Sequence, residues 1–186
     1  MTLRIPRDRI GALIGRDGVT KSTIEKECGV RIKVDSRTGD VEISPADPPE
    51  DSDVPTARMI VEAIGYGFSY ERASRLLEQG NTLIVVDLRE YAGRSPSDLR
   101  RIKGRIIGEN GRARRVIEEL TGAYISVYDR FVAIIGKLDE ARAAEEAVRE
   151  LASGQMHKFV YSRLQERRSM MRMDRMKLWR RPGEEQ

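Results

Sequence analysis

The chain has 186 residues, enough for two small domains with modest cores. A single cysteine, Cys28, excludes an intrachain disulfide, and the lack of any run of about 18 apolar residues or a hydrophobic signal segment points to a cytoplasmic protein with no membrane contact. The net charge is only +4, so the overall balance does not by itself argue for a nucleic-acid partner. Its distribution is uneven: residues 155–181 hold nine Lys/Arg and two acids, the last five residues add −2, and residues 1–154 sum to −1.

In chain order, residues 1–5 are short and apolar enough for an edge strand. Arg7 to Ile14 reads as a short helix that ends at Gly15-Arg16-Asp17-Gly18. Val19 to Cys28 reads as a second helix with Gly29 as its C-cap. Val30 to Val34 alternates apolar and polar residues, as a half-buried strand does, and pairs across the Arg37–Asp40 turn with Val41–Ile43. Residues 45–55, with four prolines, form a linker or surface loop, and Thr56 to about Gln79 is helical with a break near Gly65-Tyr66-Gly67. The plan then recurs. Thr82 to Leu88 is a strand, Ser95-Pro96-Ser97-Asp98 starts a helix that runs from Leu99 to Ile107, and Gly108-Glu109-Asn110-Gly111 follows. A helix from Arg112 to Leu120 ends at Gly122, a hairpin joins Tyr124–Tyr128 to Phe131–Ile135, and Leu138 to Leu151 is an Ala/Glu-rich helix. Each unit is thus expected to be β-α-α-β-β-α, with one sheet face covered by helices.

The two units are copies. Residues 11–32 laid on 104–125 without a gap give 8 identities in 22 positions: Gly11/Gly104, Ile14/Ile107, Gly15/Gly108, Gly18/Gly111, Ile24/Ile117, Glu25/Glu118, Gly29/Gly122 and Ile32/Ile125. A fixed offset means a repeated unit. Glycines at a tight helix–helix turn let a backbone approach where a Cβ would clash, and the amides opening the next helix face outward toward anions. Used twice, this loop points to single-stranded nucleic acid.

The element order with G-x-x-G between the two central helices resembles the type I KH domain. The resemblance covers residues 1–79 and 81–153, and leaves 154–186 as a basic helical tail. The expected class is therefore α+β, with two type I KH domains. A tandem pair of this length is similar to the archaeal form of the KH-repeat ribosome-assembly factors, partners of the Nob endonuclease. The resemblance implies binding of the 3′-end region of small-subunit ribosomal RNA during maturation, with a maturation endonuclease and translation or ribosomal proteins as partners. The rival readings are a general RNA-binding adaptor in decay or translation, and a protein-interaction scaffold.

Charge separates the two loops. Residues 99–117 carry seven Lys/Arg against Glu109, a net of +6, whereas residues 6–24 carry a net of +2. Phosphate neutralisation dominates nucleic-acid affinity, so the main RNA site is expected at Lys103, Gly104, Arg105, Ile107, Gly108, Glu109, Asn110, Gly111, Arg112 and Arg115. A weaker RNA or protein site falls at Gly11, Gly15, Arg16, Asp17, Gly18 and Lys21. KH loops usually hold a basic residue between the glycines, and Glu109-Asn110 departs from that; Asn110 can donate from its amide and tolerates left-handed backbone.

Gly11 and Gly104, inside helices, serve either tight helix–sheet packing or close passage of a base. Ile106, Ile107, Ile125 and Val127 either line an apolar groove for bases or belong to the core, and their repeat equivalents favour the core for at least Ile107 and Ile125. Tyr124 and Tyr128 either stack bases or pack on the other unit. In the tail, Met170, Met171, Met173 and Met176 accompany nine cationic residues that include Arg163, Arg167, Arg180 and Arg181, with Trp179 as an anchor; the tail is either a solvated helix face or a helix that binds RNA or a protein. A lone histidine, His157, no metal-ligand spacing and no phosphate-binding P-loop argue against an enzyme, a metal or a cofactor.

Overall fold

The computed structural model describes residues 1–47, 49–93 and 95–179; the side chains of Pro96 and of residues 174–179 lie outside the described set. The first unit comprises β1 (Thr2–Arg4), α1 (Arg7–Ile14), α2 (Val19–Cys28), β2 (Val30–Val34), β3 (Asp40–Pro45), α3 (Val54–Gly65) and a short α4 (Tyr70–Ala73) that continues into a 3-10 turn at Ser74–Leu77. The second comprises β4 (Asn81–Asp87), α5 (Pro96–Ile107), α6 (Arg112–Thr121), β5 (Tyr124–Tyr128), β6 (Phe131–Lys137) and α7 (Leu138–Ala152), and is followed by α8 (His157–Trp179). Both sheets are antiparallel, and in each the last strand lies in the middle: β1-β3-β2 and β4-β6-β5. This is the β-α-α-β-β-α plan of two KH domains with a C-terminal helix.

Local chemistry sets the boundaries. Asp53 caps α3 by accepting from the Thr56 amide, and Ser95 caps α5 by accepting from the Ser97 amide. Gly29 and Gly122 end α2 and α6 with φ of 61° and 84°, where a side chain would be strained.

The first sheet buries Val30, Ile32, Val41 and Ile43 against Leu13, Ile24, Ile60 and Ile64 of the helices. Its other face is exposed and carries Arg31, Lys33 and Glu42. The second sheet corrects the expectation of one covered face. Ile84, Val86, Ile125, Val132 and Ile134 join the core beneath α5, α6 and α7. The alternate residues Leu83, Val85, Tyr124, Ala133 and Ile135 join the first unit's core instead. The first unit reaches across with α3 and the turn after α4, so this sheet is closed on both sides.

Gly67, at φ +95°, makes that approach possible, because a Cβ there would stand 2.7 Å from the Ser126 hydroxyl and 2.9 Å from Tyr128 Cβ. The Ser126 hydroxyl donates to the Tyr66 carbonyl at 2.9 Å, and the Tyr128 hydroxyl donates to the Asp8 carboxylate. That bond, with partial burial, pushes the Tyr128 phenol up to about 12. Tyr66 and Phe131 meet edge to face at 5.1 Å.

The first half of α8 is also part of the body. Val160 and Leu164 are buried with Ala143 and Ala147 of α7. Arg163 pairs with Glu150, and Arg167 lies 3.6 Å from Glu146. Two of the tail's cations are thus engaged within the chain. Met176, Trp179, Arg180 and Arg181, which the sequence singles out, lie outside the described side chains.

Candidate nucleic-acid interface

The two glycine loops have the same backbone. Gly15 and Gly108 sit at φ/ψ of 76°/176° and 72°/176°, Asp17 and Asn110 both at φ 51°, and Gly18 and Gly111 at φ 78° and 75°. Their glycines have two different reasons. A Cβ at Gly15 would stand 2.8 Å from the Thr20 amide nitrogen, and one at Gly108 would stand 2.7 Å from that of Ala113, so these two are fixed by the turn itself. Gly18 and Gly111 need their left-handed φ but face open space, with nothing within 4 Å of the Cβ position. Asp and Asn are the non-glycine residues best suited to the left-handed position between them.

Gly11 and Gly104 also face open space, with nothing within 4 Å, and both are exposed. Packing therefore does not explain them. A glycine mid-helix costs about 1 kcal/mol relative to alanine, and what it provides here is a bare strip of backbone on the outer side of α1 and α5. No side chain caps α2 or α6, in contrast to α3 and α5. Each loop thus presents the amides of a helix start beside a glycine-bare helix flank, a surface suited to a sugar-phosphate chain.

Around the second loop, Arg100, Arg112 and Arg115 are exposed and Lys103 is half-buried. Arg115 steadies the loop by donating to the Asn110 carbonyl at 3.0 Å. Glu109 is exposed. Ile107 is half-exposed and Ile106 is fully buried, so the core residue is the neighbour of the one expected. The same holds in the first copy, where Leu13 is buried and Ile14 is not. Ile107 is left as an apolar group beside the loop.

Arg105 has a different task from the one expected. Its guanidinium donates to the Leu151 carbonyl at 3.1 Å and the Gln155 carbonyl at 2.5 Å, closing the C-terminus of α7. His157 holds the Arg105 carbonyl at 2.8 Å. Arg9 does the same in the first unit, donating to the carbonyls of Ile64 at 2.9 Å and Phe68 at 2.7 Å. One cation of each charge count is therefore a helix cap. Near the first loop, Arg16 and Asp17 are exposed, and Lys21 pairs with Glu25 at 3.7 Å.

Tyr124 and Tyr128 face the first unit, not a free strand. Arg72 and Arg75 lie over the Tyr124 ring at 5.1 and 4.9 Å, and Arg9 lies 5.8 Å from the Tyr128 ring. Of the two readings of these tyrosines, packing between units is the one realised.

The repeated glutamates, unexplained by sequence, are structural ties. Glu25 accepts the Ile32 amide at 2.7 Å and Glu118 accepts the Ile125 amide at 2.8 Å, each joining the second helix to the edge strand of its own unit. The signal was their place among the eight identities. Among the described residues, no group of three His, Cys, Asp or Glu could hold a metal, and no helix is long and apolar enough to cross a membrane.

Residues 82–169 match a family model described as the eukaryotic type KH domain, type I, and residues 1–61 match the KH domain. The chain is 43% identical to the KH domain-containing protein MJ0443 of Methanocaldococcus jannaschii over 98% of its own length and 80% of that protein. It superposes on the crystal structure of Dim2p from Pyrococcus horikoshii with a TM-score of 0.81 at 45% identity, covering 90% of this chain and 98% of that one. The chain belongs to the tandem KH-domain family of Dim2p type. A chain of the a/eIF2alpha–aDim2p–rRNA complex from Pyrococcus horikoshii is also similar, with a TM-score of 0.84 at 42% identity over 91% of this chain and 94% of that one. KH domains are RNA-recognition modules in which the G-x-x-G loop clamps about four backbone nucleotides. Both KH units here keep that loop geometry. The match of the second unit runs to residue 169, and so takes in the first turns of α8 that its core buries.

Proposed function

We propose that the protein binds the 3′-end region of small-subunit ribosomal RNA as a single strand, through its second KH unit, during ribosome assembly. The observation that carries this is the second loop: open glycine flanks at Gly104 and Gly111, an uncapped α6, and exposed Arg100, Arg112 and Arg115 around them. The strand lies between the Gly108–Gly111 loop and the β5–β6 hairpin. Lys103, Arg112 and Arg115 neutralise phosphates, Gly104 and Ile107 lie against a base or ribose, and Asn110 donates without charge. Arg105 is left out because its guanidinium is turned to the Leu151 and Gln155 carbonyls at the end of α7. The similarity to a chain crystallised with a/eIF2alpha and rRNA supports ribosomal RNA as ligand and a translation factor as partner; family membership supports a maturation endonuclease as another. The protein acts in this reading by binding, in the cytoplasm, without catalysing a reaction. We treat 1–79 and 81–153 as the two KH domains and 154–186 as the tail, with the first KH unit a weaker RNA site or a protein-docking site.

The test is titration of a short single strand from the small-subunit rRNA 3′ end. Gly108→Asp with Gly111→Asp should abolish binding, and Gly15→Asp with Gly18→Asp should cost less. Equal losses from the two pairs, in variants shown to be folded, would overturn the assignment to the second unit. Crosslinking and sequencing of RNA bound in cells separates a ribosomal target from the general adaptor role, which would return many unrelated transcripts.

A further inference from the structure

Glu25 and Glu118 occupy the same place in the two copies, and most of their surroundings are duplicated. Each accepts the amide of the isoleucine seven residues on. Each has a cation one turn back, Lys21 at 3.7 Å and Arg114 at 4.0 Å. The difference is Arg72. Its Nη1 lies 3.0 Å from Glu118 Oε1, the oxygen that also accepts the Ile125 amide. Among the described residues no cation from the other unit reaches Glu25. The Glu118 side chain is 12% exposed, against 27% for Glu25, so its pair is the less screened by water.

Arg72 belongs to α4 of the first unit, and its guanidinium also lies over Tyr124 of β5. It therefore touches both elements that flank the proposed RNA strand: α6 through Glu118, and β5 through Tyr124. A carboxylate held by Arg72 stays in the rotamer that accepts from Ile125. Without Arg72, that carboxylate keeps only Arg114 beside it, as Glu25 keeps only Lys21, and its tie to the edge strand is held less firmly.

We infer that the first KH unit sets the width of the second unit's RNA groove through Arg72, a positioning residue that does not itself contact RNA. This rests on the reading that the second groove holds the RNA. Arg72 then gives the first unit a role in RNA binding even where no nucleotide touches it.

The experiment uses the full chain and the same small-subunit 3′-end strand. Arg72→Met keeps the apolar stem over Tyr124 and removes the charge. It should weaken binding about threefold to tenfold, the scale of one partly buried ion pair. Glu118→Gln should cost a similar factor, and the double variant no more than either single. The dependence of log K on log salt should keep its slope, because no phosphate contact is removed, and the Ile125 amide should exchange faster with solvent. Arg72→Lys should restore part of the affinity, and serves as the probe if Arg72→Met does not fold. Unchanged affinity in a folded Arg72→Met protein, or a salt slope shallower by about one, overturns the inference; the second result would place Arg72 on a phosphate. The Gly108→Asp, Gly111→Asp pair is measured alongside. If that pair leaves binding intact, the groove reading fails; if it abolishes binding while Arg72→Met has no effect, only the positioning role fails.

Discussion

The glycines of the two loops are open to a test that separates folding from binding. Gly104 lies mid-helix with nothing within 4 Å of its Cβ position. Gly104→Ala should therefore stabilise the free protein by up to about 1 kcal/mol, or roughly 2–4 °C in Tm. It should also weaken RNA binding, since the methyl group stands where the strand passes. Thermal unfolding and titration of one variant read both effects, and a rise in Tm with unchanged affinity would mean that no nucleotide lies against that flank. Gly108→Ala should do the reverse to stability, because its φ is +72° and its Cβ would meet the Ala113 backbone. Cys28 gives a chemical check on the first core. Burial first, then the charges of Asp53 and Glu27, push its thiol up to about 11 from 9.0. At pH 8 the thiolate fraction is then about a hundredfold lower than in an unfolded chain, and alkylation should be slower by at least that factor. The sign for stability follows. A thiol whose folded pKa is raised contributes fully below pH 9 and loses that contribution as pH rises toward 11, so the protein should weaken over that window and a Cys28→Ala variant should not share that part of the loss.

Among the elements, α8 carries the sharpest prediction. Leu164 is 7% exposed in the second core, and Leu164→Ala should cost about 2–3 kcal/mol of stability by denaturant unfolding. Truncation before His157 should destabilise the second unit outright, whereas truncation after Ser169 should leave the fold intact and make RNA binding weaker and less salt-dependent. If the longer truncation folds as well as the shorter, α8 is not part of the core. The sequence shows this helix as charge and methionine but does not show what its charges face, since Arg163 and Arg167 read the same whether they meet Glu150 and Glu146 or a phosphate. Where proline or glycine marks the ends, Pro6 and Gly15 for Arg7–Ile14 and Gly18 and Gly29 for Val19–Cys28, the helix limits are legible to the residue. Arg105 is not legible, because its role depends on carbonyls 46 and 50 residues away. The covered second sheet did leave a signal. Val30–Val34 alternates, as a strand with one wet face does, while Leu83-Ile84-Val85-Val86 and Val132-Ala133-Ile134-Ile135 are apolar without interruption, as strands buried on both faces are. The loops and their charge excess were visible from spacing alone; which cations remain free for phosphate was not.

For the whole molecule, the shared core predicts one cooperative unfolding transition, because Leu83, Val85, Ala133 and Ile135 of the second unit sit in the first unit's cluster. Residues 81–179 made alone should expose that face and self-associate; a well-behaved monomer by light scattering would contradict the packing. Binding of a single strand should fall with salt at a slope of roughly −2 to −4 in log–log form, for three to five neutralised phosphates, and duplex RNA should bind much worse. The arrangement of the units has one more consequence. The contact is head to tail: the first unit gives helices and the second gives a sheet, so the surfaces used are not the same on both sides. Such a joint does not close on itself, and a third copy could in principle be added at either end to start a filament. The molecule is finished at both ends. The first unit's free sheet face offers Arg31, Lys33 and Glu42 where an incoming unit would need aliphatic side chains, and α8 lies over α7, the counterpart of α3. Replacing Arg31 and Lys33 by valine would remove one terminator and turn a two-unit protein into a monomer for polymerisation.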